Sequence, residues 1–119
     1  MGNSRKFVVK LLTSIDDNSS YSNILLDEAL KRSSLTPQDK KFATALFYGV
    51  LERRYTLDEI IKSLSQNPKN LINHTVRNIL RTGLYQLKYM DSVPDSAAVD
   101  EAVKLAKKNR NPAIPGFVN

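Results

Sequence analysis

Val76-Arg77-Asn78-Ile79-Leu80-Arg81-Thr82-Gly83-Leu84-Tyr85-Gln86-Leu87 is the stretch on which the fold turns. Val76, Ile79, Leu80, Gly83, Leu84 and Leu87 fall at i, i+3, i+4, i+7, i+8 and i+11, the period of one helical face and not the two-residue alternation of a strand. This fifth helix of the chain needs partners for its apolar side. On its other side Arg77, Arg81, Tyr85 and Lys88 follow at spacings of four, four and three, which aligns them in one stripe.

The flanks supply the partners. Toward the C-terminus, Asp91-Ser92-Val93-Pro94 reads as a turn with proline at a helix start. Val99, Ala102, Val103 and Ala106 then give a sixth helix its stripe, with Asp100 and Lys104 spaced for an i,i+4 pair, and Asn109 to Gly116 reads as loop. Toward the N-terminus, Gln66 to Asn70 breaks the chain, and Thr56-Leu57-Asp58-Glu59 reads as a capping box opening a fourth helix. Thr36-Pro37-Gln38-Asp39 starts a third helix, apolar over so wide an arc that it must be central, with Gly49 allowing a close helix contact. Ser4 precedes a first stripe through Phe7, Val8, Leu11, Leu12 and Ile15, Asp16 to Ser20 is turn chemistry, and a second helix runs from Ser22 to near Ser33. No segment alternates with period two, so the expectation is an all-α, orthogonal bundle of about six helices in one domain, residues 1–119.

Length and composition agree with that expectation. A chain of 119 residues, 41% hydrophobic and 25% charged, suffices for one core. With no cysteine, disulfide frameworks, thiolate metal sites and cysteine nucleophiles are excluded, and a cytoplasmic setting fits. The apolar residues near the N-terminus are too interleaved with charge for a secretory signal, and no run approaches a membrane span. The formal charge is +6, which points toward a polyanion without proving one.

Catalytic chemistry is missing. His74 is the sole histidine and has no metal or triad partner in sequence, so no metal site is expected. The four glycines are scattered singly and form no phosphate-binding loop, and the acid pairs sit in turns or helix faces that capping and solubility explain. The basic residues are more informative. Arg5 and Lys6 open the first helix away from its apolar stripe, Arg53-Arg54 occupies a corner beside Tyr55, and Arg77 lies off the apolar face of the fifth helix. Guanidinium groups neutralise phosphate and stack on unpaired bases, so these five are the candidate RNA contacts. Arg53-Arg54 equally suits the C-terminal dipole of the third helix, and the lysine groups at 40–41 and 104–108 suit plain solvation. Arg81 and Tyr85 read as structural, Arg81 pairing with an acid of a neighbouring helix such as Glu101.

Several motifs together carry a resemblance. Tyr48-Gly49-Val50-Leu51 with Arg53-Arg54, Ile79 to Leu87, Val93-Pro94, Ala97 to Lys107 and Gly116-Phe117-Val118-Asn119 resemble the NusB superfamily over nearly the whole chain. Gly83-Leu84-Tyr85-Gln86-Leu87 and the final Gly-Phe-Val-Asn are most similar to the N-terminal domain of the RsmB (Sun/Fmu) 16S rRNA cytosine-5 methyltransferases. Free NusB more usually has Tyr-Glu where this chain has Tyr85-Gln86. Arg5 and Val8 match the family's opening pattern, with valine in place of the common alanine.

The resemblance implies an all-helical fold that binds RNA, 16S rRNA for the RsmB-like members, ahead of an S-adenosylmethionine-dependent catalytic domain that this sequence lacks. On that expectation the chain is a piece of a longer methyltransferase, holds no cofactor and is not an enzyme by itself. The alternatives are a NusB-type transcription antitermination factor, binding leader RNA with a ribosomal protein, and a helical protein-interaction module whose charge is incidental.

Overall fold

The computed structural model describes residues 2–18, 22–64 and 73–108, and among these all regular structure is helical. Six helices follow one another: α1 (Gly2–Asn18), α2 (Ser22–Arg32), α3 (Pro37–Glu52), α4 (Arg54–Leu64), α5 (His74–Tyr89) and α6 (Asp95–Lys108). The loops expected at 19–20, 66–70 and 109–116 lie outside the described residues.

α5 is the hub, packed against α1, α3, α4 and α6. Its apolar face places Val76 and Ile79 in the core, while Leu87, expected at the end of the same stripe, is 42% exposed. Because α5 is enclosed on several sides, its other face is buried too: Asn78, Arg81, Thr82 and Gln86 are each at most 4% exposed. α3 supplies Ala43, Leu46, Phe47 and Val50 at 0% exposure, which agrees with its wide apolar arc. α3 and α5 approach closely at Gly49, where a side-chain methyl would overlap the ring of Tyr85. α5 and α6 meet across Gly83 and Ala102.

Two helix starts are set by side-chain caps. The backbone N–H of Asp39 donates to Thr36 Oγ1 at 3.1 Å, with Pro37 at the first helical position. The N–H groups of Thr75 and Val76 donate to Asn73 Oδ1 at 2.9 and 3.2 Å.

Three boundaries differ from the sequence expectation. α1 begins at Gly2 and continues through Asp16 to Asn18, with Ser4 wholly buried inside it. Asp16 stays helical because its carboxylate accepts from Asn78 Nδ2 at 3.0 Å and Arg81 Nη1 at 3.2 Å, which offsets its unfavourable place near a helix C-terminus. α4 begins at Arg54 and not at Thr56, so Thr56 to Glu59 is no capping box; Asp58 is drawn inward to Arg81. On α6, Lys104 lies 3.5 Å from Glu101 at i,i+3, in place of the i,i+4 pair expected with Asp100; with the Lys104 side chain 68% exposed that contact contributes little.

Candidate nucleic-acid interface

The charged residues of α5 divide into those that hold the bundle together and those left at its surface. Arg81 belongs to the first group. Its Nε and Nη2 donate side-on to the two carboxylate oxygens of Asp58, both at 2.7 Å, and Nη1 reaches Asp16 Oδ2 at 3.2 Å and Asn78 Oδ1 at 2.9 Å. The planar fork thereby ties α5 to α4 and α1 at once. Its partners are these two aspartates and not Glu101, because α4 and α1 flank Arg81 on α5. Tyr85, one turn further on, packs its ring against Gly49 and lies 5.2 Å from Tyr89, centroid to centroid. The stripe of Arg77, Arg81, Tyr85 and Lys88 is therefore not one exposed face.

Arg5 also departs from expectation. It does not present its charge outward: it is 3% exposed, its Nε donates to Gln86 Oε1 at 2.6 Å, and its guanidinium lies 5.1 Å from the centre of the Phe42 ring. α1 packs against both α3 and α5, so a residue off the Phe7, Leu11 and Ile15 stripe still faces a neighbouring helix. Burial lowers the Arg5 pKa from its ordinary value, and the negative charge of Glu101 works in the other direction. Arg5 Nη2 and Ser4 Oγ are buried without hydrogen-bond partners. Glu101 thus serves the Arg5 neighbourhood and Lys104, not Arg81.

The surface group centres on the corner between α3 and α4. Arg53 closes α3, donating its N–H to Gly49 O at 3.2 Å, and its own carbonyl accepts the Leu57 N–H at 2.9 Å, so one residue belongs to both helices. Its exposed guanidinium lies 4.1 Å from the centre of the Tyr89 ring, and Lys88 Nζ lies 5.4 Å from the same centre. Arg54 is 5.8 Å from the ring of Tyr55, which is 80% exposed. Tyr48, also on α3, is 42% exposed. Cations and aromatic rings therefore alternate across one turn of chain and the end of α5.

The other candidates are dispersed. Lys6 is exposed on α1, and Arg77 is half-buried in the first turn of α5. Lys41 and Lys104 are exposed and Lys40 half-buried, while the side chains of Lys107 and Lys108 lie outside the described set, as do Gly116 to Asn119. Among the described residues no group of three or more acidic or histidine side chains is placed to hold a metal ion, and no helix is long and apolar enough to cross a membrane. Tyr89 was not legible as a surface residue, because its pairing with Arg53 joins positions 36 residues apart and leaves no local pattern.

The whole bundle has the architecture of NusB, an all-helical fold: it superposes on the solved structure of T. maritima NusB with a TM-score of 0.87 at 24% identity, covering 98% of this chain and 83% of that one. The chain belongs to the NusB family, whose sequence pattern matches residues 2–119. It is 40% identical over 119 residues to a probable ribosomal RNA small subunit methyltransferase B of Synechocystis, and 35% identical over 115 residues to one of Bacillus subtilis. The chain covers 27% and 26% of the length of those two proteins. It is also 34% identical over 116 residues to the transcription antitermination protein NusB of Campylobacter jejuni strain 81-176, and there it covers 86% of the relative.

Proposed function

We propose that this chain is the RNA-recognition domain of a 16S rRNA 5-methylcytosine methyltransferase, holding the rRNA for a catalytic domain elsewhere in a longer protein. The observation that carries the reading is identity of 40% along all 119 residues to a protein named as a small-subunit rRNA methyltransferase, above the 34% to an antitermination NusB. The net charge of +6 and the corner formed by exposed Arg53, Tyr55 and Lys88 with half-buried Arg54 support contact with a polyanion. S-adenosylmethionine belongs to the other domain in this reading.

A second reading, an antitermination factor binding leader RNA with a ribosomal protein, is favoured by the 86% coverage of the Campylobacter relative. Binding of the chain to a 16S rRNA fragment, titrated at several salt concentrations, tests what the two readings share. Log K is expected to fall by about 0.7 to 0.9 per neutralised phosphate for each decade of salt. No binding at low salt would return the chain to a protein-interaction module. Methyl transfer to rRNA by the chain alone would refute its non-catalytic part. The coding sequence after Asn119 separates the two readings, a long methyltransferase region supporting the first and an early stop the second.

A further inference from the structure

The α3–α4 corner has a property that general positive charge does not explain. Tyr55 stands with 80% of its surface in water, although a tyrosine ring is among the largest apolar bodies a fold can bury. The backbone beneath it is fixed. Arg53 donates to Gly49 O and accepts from Leu57 N–H, so the residues that follow are held at a set angle to α3. Arg53 is held as well, its planar group lying 4.1 Å from the Tyr89 ring centre while the residue remains exposed. The C-terminus of α3 and the N-terminus of α4 meet here, so the two helix-end partial charges oppose each other and the positive charge of the corner comes from the arginine side chains. Asp58 is turned inward onto Arg81, which leaves Glu52 and Glu59 as the exposed acids of this segment.

We propose that this corner is a single-strand site, in which an unpaired RNA base stacks on Tyr55 while Arg53 and Arg54 engage the adjoining phosphates. The inference rests on the reading of the domain as RNA-binding and names the form of RNA that its surface takes. The Tyr55 ring, 80% exposed with the Arg54 guanidinium 5.8 Å from its centre, can take the π-face of a base only when that base is out of a duplex stack. The guanidinium of Arg53, already stacked on one aromatic ring, is a second flat, charged platform of the same kind. A protein partner fits less well. Protein interfaces take up tyrosine and arginine as well but are depleted in lysine, whereas here Lys88 lies beside the Tyr89 ring with Arg53 in a chain of net charge +6. Little ordering of the protein is needed on binding, because the corner is already built.

The test measures binding of the 119-residue chain, at low salt, to a fluorescent single-stranded RNA of about 12 nucleotides and to the same sequence as a duplex. Tyr55→Ala is expected to weaken single-strand binding by about 5- to 150-fold, the range for loss of one base–aromatic stack, and to leave duplex binding nearly unchanged. Tyr55→Phe keeps the ring and is expected to bind within about twofold of the parent chain. Since Tyr55 is exposed, both variants should melt with the parent protein, which a circular dichroism scan checks. Arg53→Ala should weaken binding and flatten the salt slope by about one phosphate. If Tyr55→Ala and Arg53→Ala bind the single strand as the parent does, the corner is not the site, the RNA reading survives, and the patch passes to a protein partner. If Tyr55→Phe loses as much as Tyr55→Ala, stacking is overturned. If the parent chain binds no RNA at all, the RNA reading fails and this inference with it.

Discussion

Arg81→Ala is the perturbation that most directly tests how the bundle is held. The parent side chain is 5% exposed and joins Asp16 of α1 and Asp58 of α4 to Asn78 of its own helix. Truncation leaves Asp16, at 16% exposure, and Asp58, at 35%, without their shared cation, and strands the Asn78 carbonyl oxygen. Removing one member of a buried ion pair costs about 3 to 5 kcal/mol, mostly because the remaining charge stays desolvated. Asp58 is a third exposed and can rehydrate, which pulls the expectation toward the lower end, about 3 kcal/mol. A domain of this size has roughly 6 to 18 kcal/mol of total stability, so the variant should still fold. Its melting temperature should fall by about 10 to 15 °C. Urea unfolding followed at 222 nm measures the change directly. Arg81→Lys should recover only part of it, because an ammonium cannot make the side-on fork with Asp58. A loss below about 1 kcal/mol for Arg81→Ala would refute the reasoning, since that is the scale of an exposed pair. So would abolished RNA binding with an unchanged melting temperature, which would move Arg81 from the scaffold to the interface.

Gly49→Ala should destabilise the chain by about 1 to 3 kcal/mol, because the added methyl meets the Tyr85 ring where α3 and α5 touch; Gly49→Ala combined with Tyr85→Leu should recover much of the loss, and no recovery would mean the clash lies elsewhere. Gln86→Glu should stabilise it by about 1 to 2 kcal/mol, since a carboxylate offers the buried Arg5 a charged acceptor and a second oxygen for its unpartnered Nη2. A melting temperature at or below the parent's would show that desolvating the new carboxylate, together with losing the Gln86 Nε2 bond to Thr82 O, outweighs the pairing.

The helices were legible because their signals are local. Thr36-Pro37 opens α3 through an interaction spanning three residues, and the apolar periodicity of α5 needs no knowledge of what lies opposite. Gly49 inside an apolar helix also pointed to a close approach, although its partner Tyr85 could not be read. Errors arose where a distant group outbid a local one. Thr56 and Glu59 have capping-box spacing, but helical backbone already begins at Arg54, and the carboxylate between them is pulled into the bundle by an arginine 23 residues away. Asp16 looked like the start of a turn for the same reason: its stabilising partners, Asn78 and Arg81, lie more than 60 residues along the chain.

The charged site residues were harder, because exposure of a long side chain depends on how many neighbours its helix has. Helical periodicity assigns one face to the core and leaves the rest to solvent, which holds for a helix packed on one side only. α5 is packed on several sides and α1 against α3 and α5, so Arg81 and Arg5 went inward from positions the wheel places off the main stripe. The same enclosure explains what remained outside. A corner residue has no following turn to bury it, and at Arg53, Arg54 and Tyr55 the chain passes from α3 into α4 with the Tyr55 ring 80% exposed beside Arg54. The two buried arginines thus sit on the hub and on α1 beside it, Arg81 where carboxylates from two helices converge and Arg5 against the amide of Gln86. The proposed recognition surface lies instead at the α3–α4 junction, where a short turn leaves Arg53 and the Tyr55 ring exposed without opening the core.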